Sequence, residues 1–479
     1  MGPAMSRPFA GVQRIVLHGN RWEAAQHLVL CFGPGSSPQR FLQLLRQDAL
    51  WPEGALQGQP FVQLSLGFSR RGLENARVPP HVLARFALKS PAFSSSASRR
   101  AAQHLGITGN DAPQRWDPVF AHTTLDAVLS LHGRHEARMQ DMRRRVCERA
   151  AQAGVDVMPL PLARRLALRP DGSPAAQDEQ WVHFGYRDGL TRVGIEGWPC
   201  GRAHDPCAPG HAAGEFVLGM AQDSGANPWI AGPGRTVWPA PVRAFFHEGS
   251  FGVLHQIEQN VAAFEAFVAE ASALTGLQPD ELKAKLCGRY PGGTPVGHPK
   301  ALATDAFDYT ADPQGIGCPF GSHMRRMNPR GDNLVHGLRS RALLRRGMPY
   351  TLPECRKPGL MGLFFCASIE DQYEHLLGQW ADRVPMGSQD RGGARDPLIG
   401  AHASDDGPYE IPRAGQPPLR LHGLQPFTRT LGVAYLFYPS LPTLEGIADN
   451  RMWLERDAED PPGGPLPHHA AARAAKAVR

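Results

Sequence analysis

Nowhere in this chain do eighteen apolar residues run together, so no helix of ordinary membrane-spanning length is expected. No basic stretch followed by an apolar run opens the sequence, and no twin-arginine signal precedes one, so a secretory leader is not expected either. Met1-Gly2-Pro3-Ala4-Met5-Ser6 fits the bare myristoylation pattern, but Pro3 makes a poor context and chance is the better reading. Cysteine is sparse: eight in 479 residues, scattered at 31, 147, 200, 207, 287, 318, 355 and 366. That spread excludes a dense disulfide framework and makes reduced thiols the default. Charge of one sign is not concentrated anywhere. The formal excess of +6 is carried by short clusters such as Arg143-Arg144-Arg145 and Arg345-Arg346, which read as solvated faces or anion contacts rather than as a nucleic-acid footprint. These absences predict a cytoplasmic protein with no membrane and no nucleic-acid partner; they leave homo-oligomer formation open.

What is plentiful is glycine and proline, 52 and 45 residues, on a background of 42% hydrophobic and 20% charged residues. That composition predicts a globular chain rich in loops and long enough for two sizeable cores. After Pro8, Val12 to Cys31 reads as paired strands. Ser36-Ser37-Pro38 opens a helix with a hydroxyl cap and a proline in its first turn. Strands are expected at Phe61 to Leu66 and Leu125 to Leu131, a polar loop-rich stretch between them, and a charged helix from Arg134 to Ala153. The order then repeats: strand pieces at Gly214 to Gly219 and Gly249 to Ile257, amphipathic helices from Asn260 and Pro279, an apolar run from Leu360 to Ser368, a helix to Asp382, and a strand over Thr430 to Tyr438. Two α+β domains built alike follow, over residues 10–200 and 212–455. Ala401 to Pro418 reads as loop and 456–479 as a flexible tail.

Two segments concentrate chemistry. Phe184-Gly185-Tyr186-Arg187-Asp188-Gly189 sets a carboxylate between glycines, where backbone approaches a ligand closely. Cys318-Pro319-Phe320-Gly321-Ser322-His323-Met324-Arg325-Arg326-Met327-Asn328-Pro329-Arg330 offers a histidine, and Leu344-Arg345-Arg346-Gly347-Met348-Pro349-Tyr350 an arginine 22 positions beyond it (345 − 323). Asp-Gly is most often only a turn, and a lone histidine is seldom a ligand; in isolation these residues decide little.

Together the segments resemble the GxxDG motif and the CPFxxHxRxxNPR block of the dye-decolorizing peroxidase family. Gly67 to Leu73, Arg100 to Trp116, Gly249-Ser250-Phe251, Gly288 to Pro291, Gln372-Tyr373-Glu374 and Leu431 to Ser440 are similar to further family segments, in the family's order, over roughly residues 10 to 450. The resemblance implies two ferredoxin-like domains whose antiparallel sheets face each other as in a dimeric α+β barrel. It also implies a haem b held non-covalently in the C-terminal one, since no CxxCH sequence is present. The implied activity is peroxidase chemistry: hydrogen peroxide drives oxidation of small organic reductants such as dyes and phenols. A haem-handling protein with little turnover is the alternative.

By the same resemblance His323 is the proximal iron ligand, Asp188 the acid–base group and Arg345 the distal cation, with Arg346 as competitor for that last role. Gly185, Gly189, Arg325, Arg330, Leu360 and Leu363 are expected around the cofactor, the arginines pairing with its propionates. Glu374 or Asp371 is expected to accept a hydrogen bond from the other nitrogen of His323. Thr191-Arg192-Val193 departs from the family's usual serine, glutamine and proline, which puts the loop shape in doubt. Gly362 stands where a bulky residue is expected, which predicts a more open distal pocket. Trp380 and Tyr373 read as core aromatics, with electron relay as the alternative. Cys200, His204, Cys207 and His211 have the composition of a zinc site, but their spacing suits zinc only loosely.

Overall fold

A computed structural model describes residues 8–19, 22–58, 60–121, 123–191, 193–198, 210–232, 236–298, 305, 307–331, 341–382, 395–401 and 407–454. Its frame is ten strands: β1 (Ala24–Cys31), β2 (Val62–Phe68), β3 (Ala127–Gly133), β4 (Asp156–Pro159), β5 (Ala163–Arg164), β6 (Ser250–Gln259), β7 (Leu344–Arg345), β8 (Met348–Thr351), β9 (Pro358–Cys366) and β10 (Thr428–Tyr438). In the first half β1 lies between β4 and β3, and β3 pairs with β2, giving the order 4-1-3-2. In the second half β6 lies between β10 and β9, and β9 pairs with β8, which is the same order. Each half is therefore a β-α-β-β-α-β unit of ferredoxin-like type.

The halves do not stand apart. β10 pairs with β2 through Phe437 and Phe68, and β8 pairs with β5 through Tyr350 and Ala163, so one antiparallel sheet closes on itself. The boundary expected between residues 200 and 212 falls largely on residues outside the described set, as does the whole of 456–479. Closure gives the sheet two unlike faces. Ser65, Ser130, His27 and His132 of the first half look inward, towards Leu254, Leu363 and Tyr438 of the second. Gly67 makes room for the Tyr438 ring there: a Cβ on it would lie 2.6 Å from that ring.

The helices follow their local signals. Ser37 caps Pro38–Gln47 by accepting from Arg40 N–H, and Pro38 sits in the first turn. Glu136–Gln152 packs on the strands of the first half, whereas Val261–Thr275 builds a second apolar core with Phe184, Tyr186 and Leu282; the latter helix ends at Gly276 with φ +76°. Three expectations need correction. The stretch before Asp117 is not mainly loop: it holds helices Arg70–Asn75, Pro80–Lys89, Pro91–Ser95 and Ala97–His104, short because prolines and serines punctuate them. Ala213–Glu215 is a 3₁₀ turn where a strand was expected. Tyr409–Arg413 and Gln416–Leu421 form a hairpin inside the supposed loop, and Tyr409, Ile411 and Leu421 bury themselves in a second core. Among the described residues, no helix is long and apolar enough to cross a membrane.

The inward histidines make an acid-labile core. His27 is buried, its Nδ1 2.7 Å from Ser130 Oγ, and burial pushes its pKa down to about 4. An unfolded histidine takes a proton near pH 6.5, so the unfolded state binds more protons between those values. His27 thus contributes stability that is full above pH 6.5 and is lost as pH falls towards 4, about 3 kcal/mol in all. Glu53 opposes this, because burial pushes it up to about 7 and it gains its proton in the fold first. In His27→Gln the urea midpoint is expected to depend less on pH between 6.5 and 4. Equal slopes in variant and wild type would show that His27 charges without cost.

Candidate active site

The carboxylate segment is a hairpin pinned from both sides. Gln180–Trp181 pairs with Arg187–Asp188, and Val182 N–H donates to Tyr186 O across the turn. Gly185 and Gly189 take φ of +83° and +71°, which is why glycine stands at each; a Cβ on Gly189 would also lie 2.8 Å from Gln180 Oε1. Phe184 packs on Phe264, Tyr186 Oη donates to Lys283 O, and Arg187 N–H donates to Pro291 O. His183 Nε2 lies 2.9 Å from Tyr350 O at the end of β8. Asp188 is left half-buried, its carboxylate with no hydrogen bond or ion pair among the described residues. It lines a cleft together with Arg165, Gln180, Gly347 and Met348. The fold thus brings the first-half carboxylate to the second-half Arg345 segment, over 150 residues away in sequence.

The two adjacent arginines part company because strand neighbours point to opposite faces. Arg345 lies opposite Phe364 across the β7–β9 ladder, hence on the face that carries Leu360, Gly362 and Phe364. Its side chain is exposed and unpaired among the described residues. Arg346 turns the other way and donates to Ile15 O and Val16 O at 2.8 and 2.7 Å. Burial, and after it the nearby Arg345, lower its pKa to about 10. The same alternation separates the two leucines. Leu360 stays beside Gly347, 3.9 Å from where a Cβ there would sit, whereas Leu363 is fully buried and points into the barrel opposite Leu254. Nor is the pocket wall missing at Gly362: the Phe364 ring lies over it, within 2.5 Å of where a Cβ would be.

His323 begins the short helix His323–Met327, and its Nδ1 is 2.9 Å from Asp396 Oδ2. Asp396 is fully buried and also accepts from Leu398 and Ile399 N–H. Burial pushes that carboxyl up, but His323, Arg326 and the backbone donor outweigh it and hold it below its ordinary range. Asp396, not Glu374 or Asp371, is therefore the partner of His323. Both oxygens of Glu374 are engaged by Arg100 at 2.6 Å, and Asp371 turns to Ser368 and Arg341. No spacing rule would have found Asp396, which lies 73 residues from His323.

The expected propionate arginines are committed elsewhere. Arg325 is buried, bonds Asp312 and Cys318 O, and lies over the rings of Phe320 and Tyr309. Arg330 bonds Asp305 and covers Phe307. Cys200, His204 and Cys207 lie outside the described residues; His211 pairs with Asp223. Among the described residues, no group of three or more histidine, cysteine or acidic side chains stands ready for a metal ion.

A wide π-type helix, Ile369–Glu374 continued by Leu376–Ala381, joins the two sides of the site. Tyr373 rests on Phe364 of the sheet face, with ring centres 5.5 Å apart, and Trp380 O accepts from Arg326 beside His323. These residues fit a haem group. Asp396 takes Nδ1 of His323 and leaves Nε2 as a nitrogen that would hold iron, and Phe364, the Arg345 guanidinium and the Asp188 carboxylate, the last two unpaired among the described residues, are groups that would suit the cofactor's reacting face.

No family model matches the chain. It is 28% identical over 404 residues to the multifunctional dye peroxidase DyP2 of an Amycolatopsis species, covering 74% of this chain and 77% of that protein. To dye-decolorizing peroxidase msp1 of Mycetinis scorodonius it is 24% identical over 452 residues, 82% and 78% of the two chains. Its fold is that of a DyP-type peroxidase from Auricularia auricula-judae, with TM-score 0.71, 20% identity and coverage of 93% and 100%. The DyP-type peroxidase of Anabaena sp. gives TM-score 0.70 at 19% identity, covering 92% and 94%. Read with the ordered motifs and the pairing of the two sheets, these likenesses give the chain the fold of the DyP-type peroxidases and make it similar in sequence, over about three quarters of its length, to curated dye-decolorizing peroxidases.

Proposed function

We propose that this protein is a haem peroxidase that uses hydrogen peroxide to oxidise dyes, phenols and similar small organic donors. The observation that carries the reading is the His323–Asp396 hydrogen bond, with the carboxylate fully buried and Nε2 left over. A buried carboxylate fixes the tautomer and orientation of a ligating imidazole and raises its basicity. The group held is proposed to be haem b, without covalent attachment. When bound, it supplies the redox chemistry, taking two oxidising equivalents from peroxide and returning them singly to donors. The chain supplies the rest. Asp188 accepts the proton of the peroxide oxygen that is bound and returns it to the outer oxygen as the O–O bond breaks. Arg345 stabilises the negative charge on that departing oxygen. Leu360 and Phe364 exclude water from the face between them.

Arg325, Arg330 and Leu363 are not retained as cofactor contacts, since each is engaged elsewhere. Gly185 and Gly189 are retained as the turns that present Asp188. A haem-handling protein would need neither an unpaired Asp188 nor an unpaired Arg345, so turnover is the better reading. The cysteines among the described residues are free thiols, which suits a reducing compartment such as the cytoplasm.

Purified wild type is expected to show a ferric Soret band that His323→Ala loses. Asp396→Asn is expected to keep haem but bind it roughly 10- to 100-fold more weakly, as outer partners of metal ligands do. An unchanged Soret band in His323→Ala would remove that residue as the ligand.

A further inference from the structure

Beside the peroxide chemistry lies a buried pair that it does not use. Tyr373 is 4% exposed, and its hydroxyl sits 2.8 Å from His255 Nδ1. His255 Nε2 is 3.1 Å from Thr430 Oγ1. With Nε2–H donating to Thr430, Nδ1 carries the lone pair and accepts from the phenol. The pair is on the cofactor side of the sheet. His255 lies opposite Gly362 across the β6–β9 ladder, on the face that carries Arg345 and Phe364, and the Phe364 ring touches Tyr373.

Other buried tyrosines lack such an acceptor. Tyr350, Tyr186 and Tyr409 donate to the backbone carbonyls of Ile257, Lys283 and Lys285, which do not take a proton. Tyr435 donates to Glu374, but both oxygens of that carboxylate already face Arg100. A phenol that loses an electron becomes a strong acid, so a base in hydrogen-bond contact decides which tyrosine is oxidised. Burial keeps His255 neutral, with a pKa pushed down to about 4, and keeps the Tyr373 phenol protonated at rest.

We infer that Tyr373 and His255 form a redox pair that stores one oxidising equivalent. Tyr373 gives one electron to the peroxide-oxidised cofactor and, in the same step, its phenolic proton to His255 Nδ1. A neutral tyrosyl radical and an imidazolium result. An organic donor later returns the electron, and the proton moves back from His255. Being buried, Tyr373 does not meet the donor itself; Tyr435, with its ring centre 6.5 Å away, is a next aromatic along the way. The inference rests on the peroxidase reading above.

The test uses haem-loaded enzyme mixed with one equivalent of hydrogen peroxide without reductant, frozen within milliseconds and read by electron paramagnetic resonance. Wild type is expected to give a tyrosyl signal that narrows when the protein carries ring-deuterated tyrosine. Tyr373→Phe is expected to lose at least four-fifths of it, judged per haem from the Soret band. His255→Gln, which keeps the phenol, is expected to lower the radical yield several-fold and to shift its g-tensor, because the strong hydrogen bond to the radical oxygen is gone. A merely structural role for Tyr373 would move neither signal in His255→Gln. Absence of a tyrosyl signal in wild type, or a signal of equal size in Tyr373→Phe, overturns the inference while leaving the peroxidase reading intact. A wild-type visible spectrum that peroxide does not change would instead remove the peroxidase reading, and this inference with it.

Discussion

Asp188→Asn is expected to slow the bimolecular reaction with peroxide by about 10²- to 10⁴-fold while the haem stays bound. The amide keeps the size of the side chain but cannot take the first proton. The hairpin should keep its shape, because Phe184, Tyr186 and the Arg187 amide anchor it and the Asp188 carboxylate bonds nothing among the described residues. Stopped-flow absorbance after peroxide mixing measures the rate. Gly189→Ala offers a second route to the same loss: it leaves the carboxylate but places a methyl 2.8 Å from Gln180 Oε1 at a residue with φ +71°. Asp188→Asn reacting at the wild-type rate would mean that another base serves.

Arg345→Leu is expected to cost about 10²- to 10³-fold in the same rate, the loss typical of one charge stabiliser. Arg346→Leu should behave differently. Its guanidinium holds two backbone carbonyls, so its loss should lower stability by about 1 to 3 kcal/mol, seen in a denaturant midpoint, with little effect on the peroxide step. A wild-type rate in Arg345→Leu together with a slow Arg346→Leu would reverse the assignment. The ladder is the reason to expect the first pattern: Arg345 is opposite Phe364, and a neighbour one residue along must face the barrel.

The sequence by itself determined the repeated order of strands and helices, the helix starting at Ser37-Pro38, and the identity of the residues in the two motifs. Those features are local. Alternation, caps and glycine turns act over a few residues, so they can be read along the chain. His323, Asp188 and Arg345 were singled out only through the family resemblance of the short segments that hold them, since in isolation such residues decide little. Only the tertiary structure decided who meets whom. Asp396 reaches His323 from 73 residues away, and burial with a backbone cradle makes it a carboxylate fit to hold an imidazole. Arg325 and Arg330 look like anion contacts in the sequence, yet Asp312 and Asp305 claim them, because a buried guanidinium must find a partner within the fold. Gly362 suggested an open pocket, and Phe364 covers it from two residues along the same strand face. The closed sheet also unites the halves, because edge strands bury their free backbone groups against each other rather than leave them exposed.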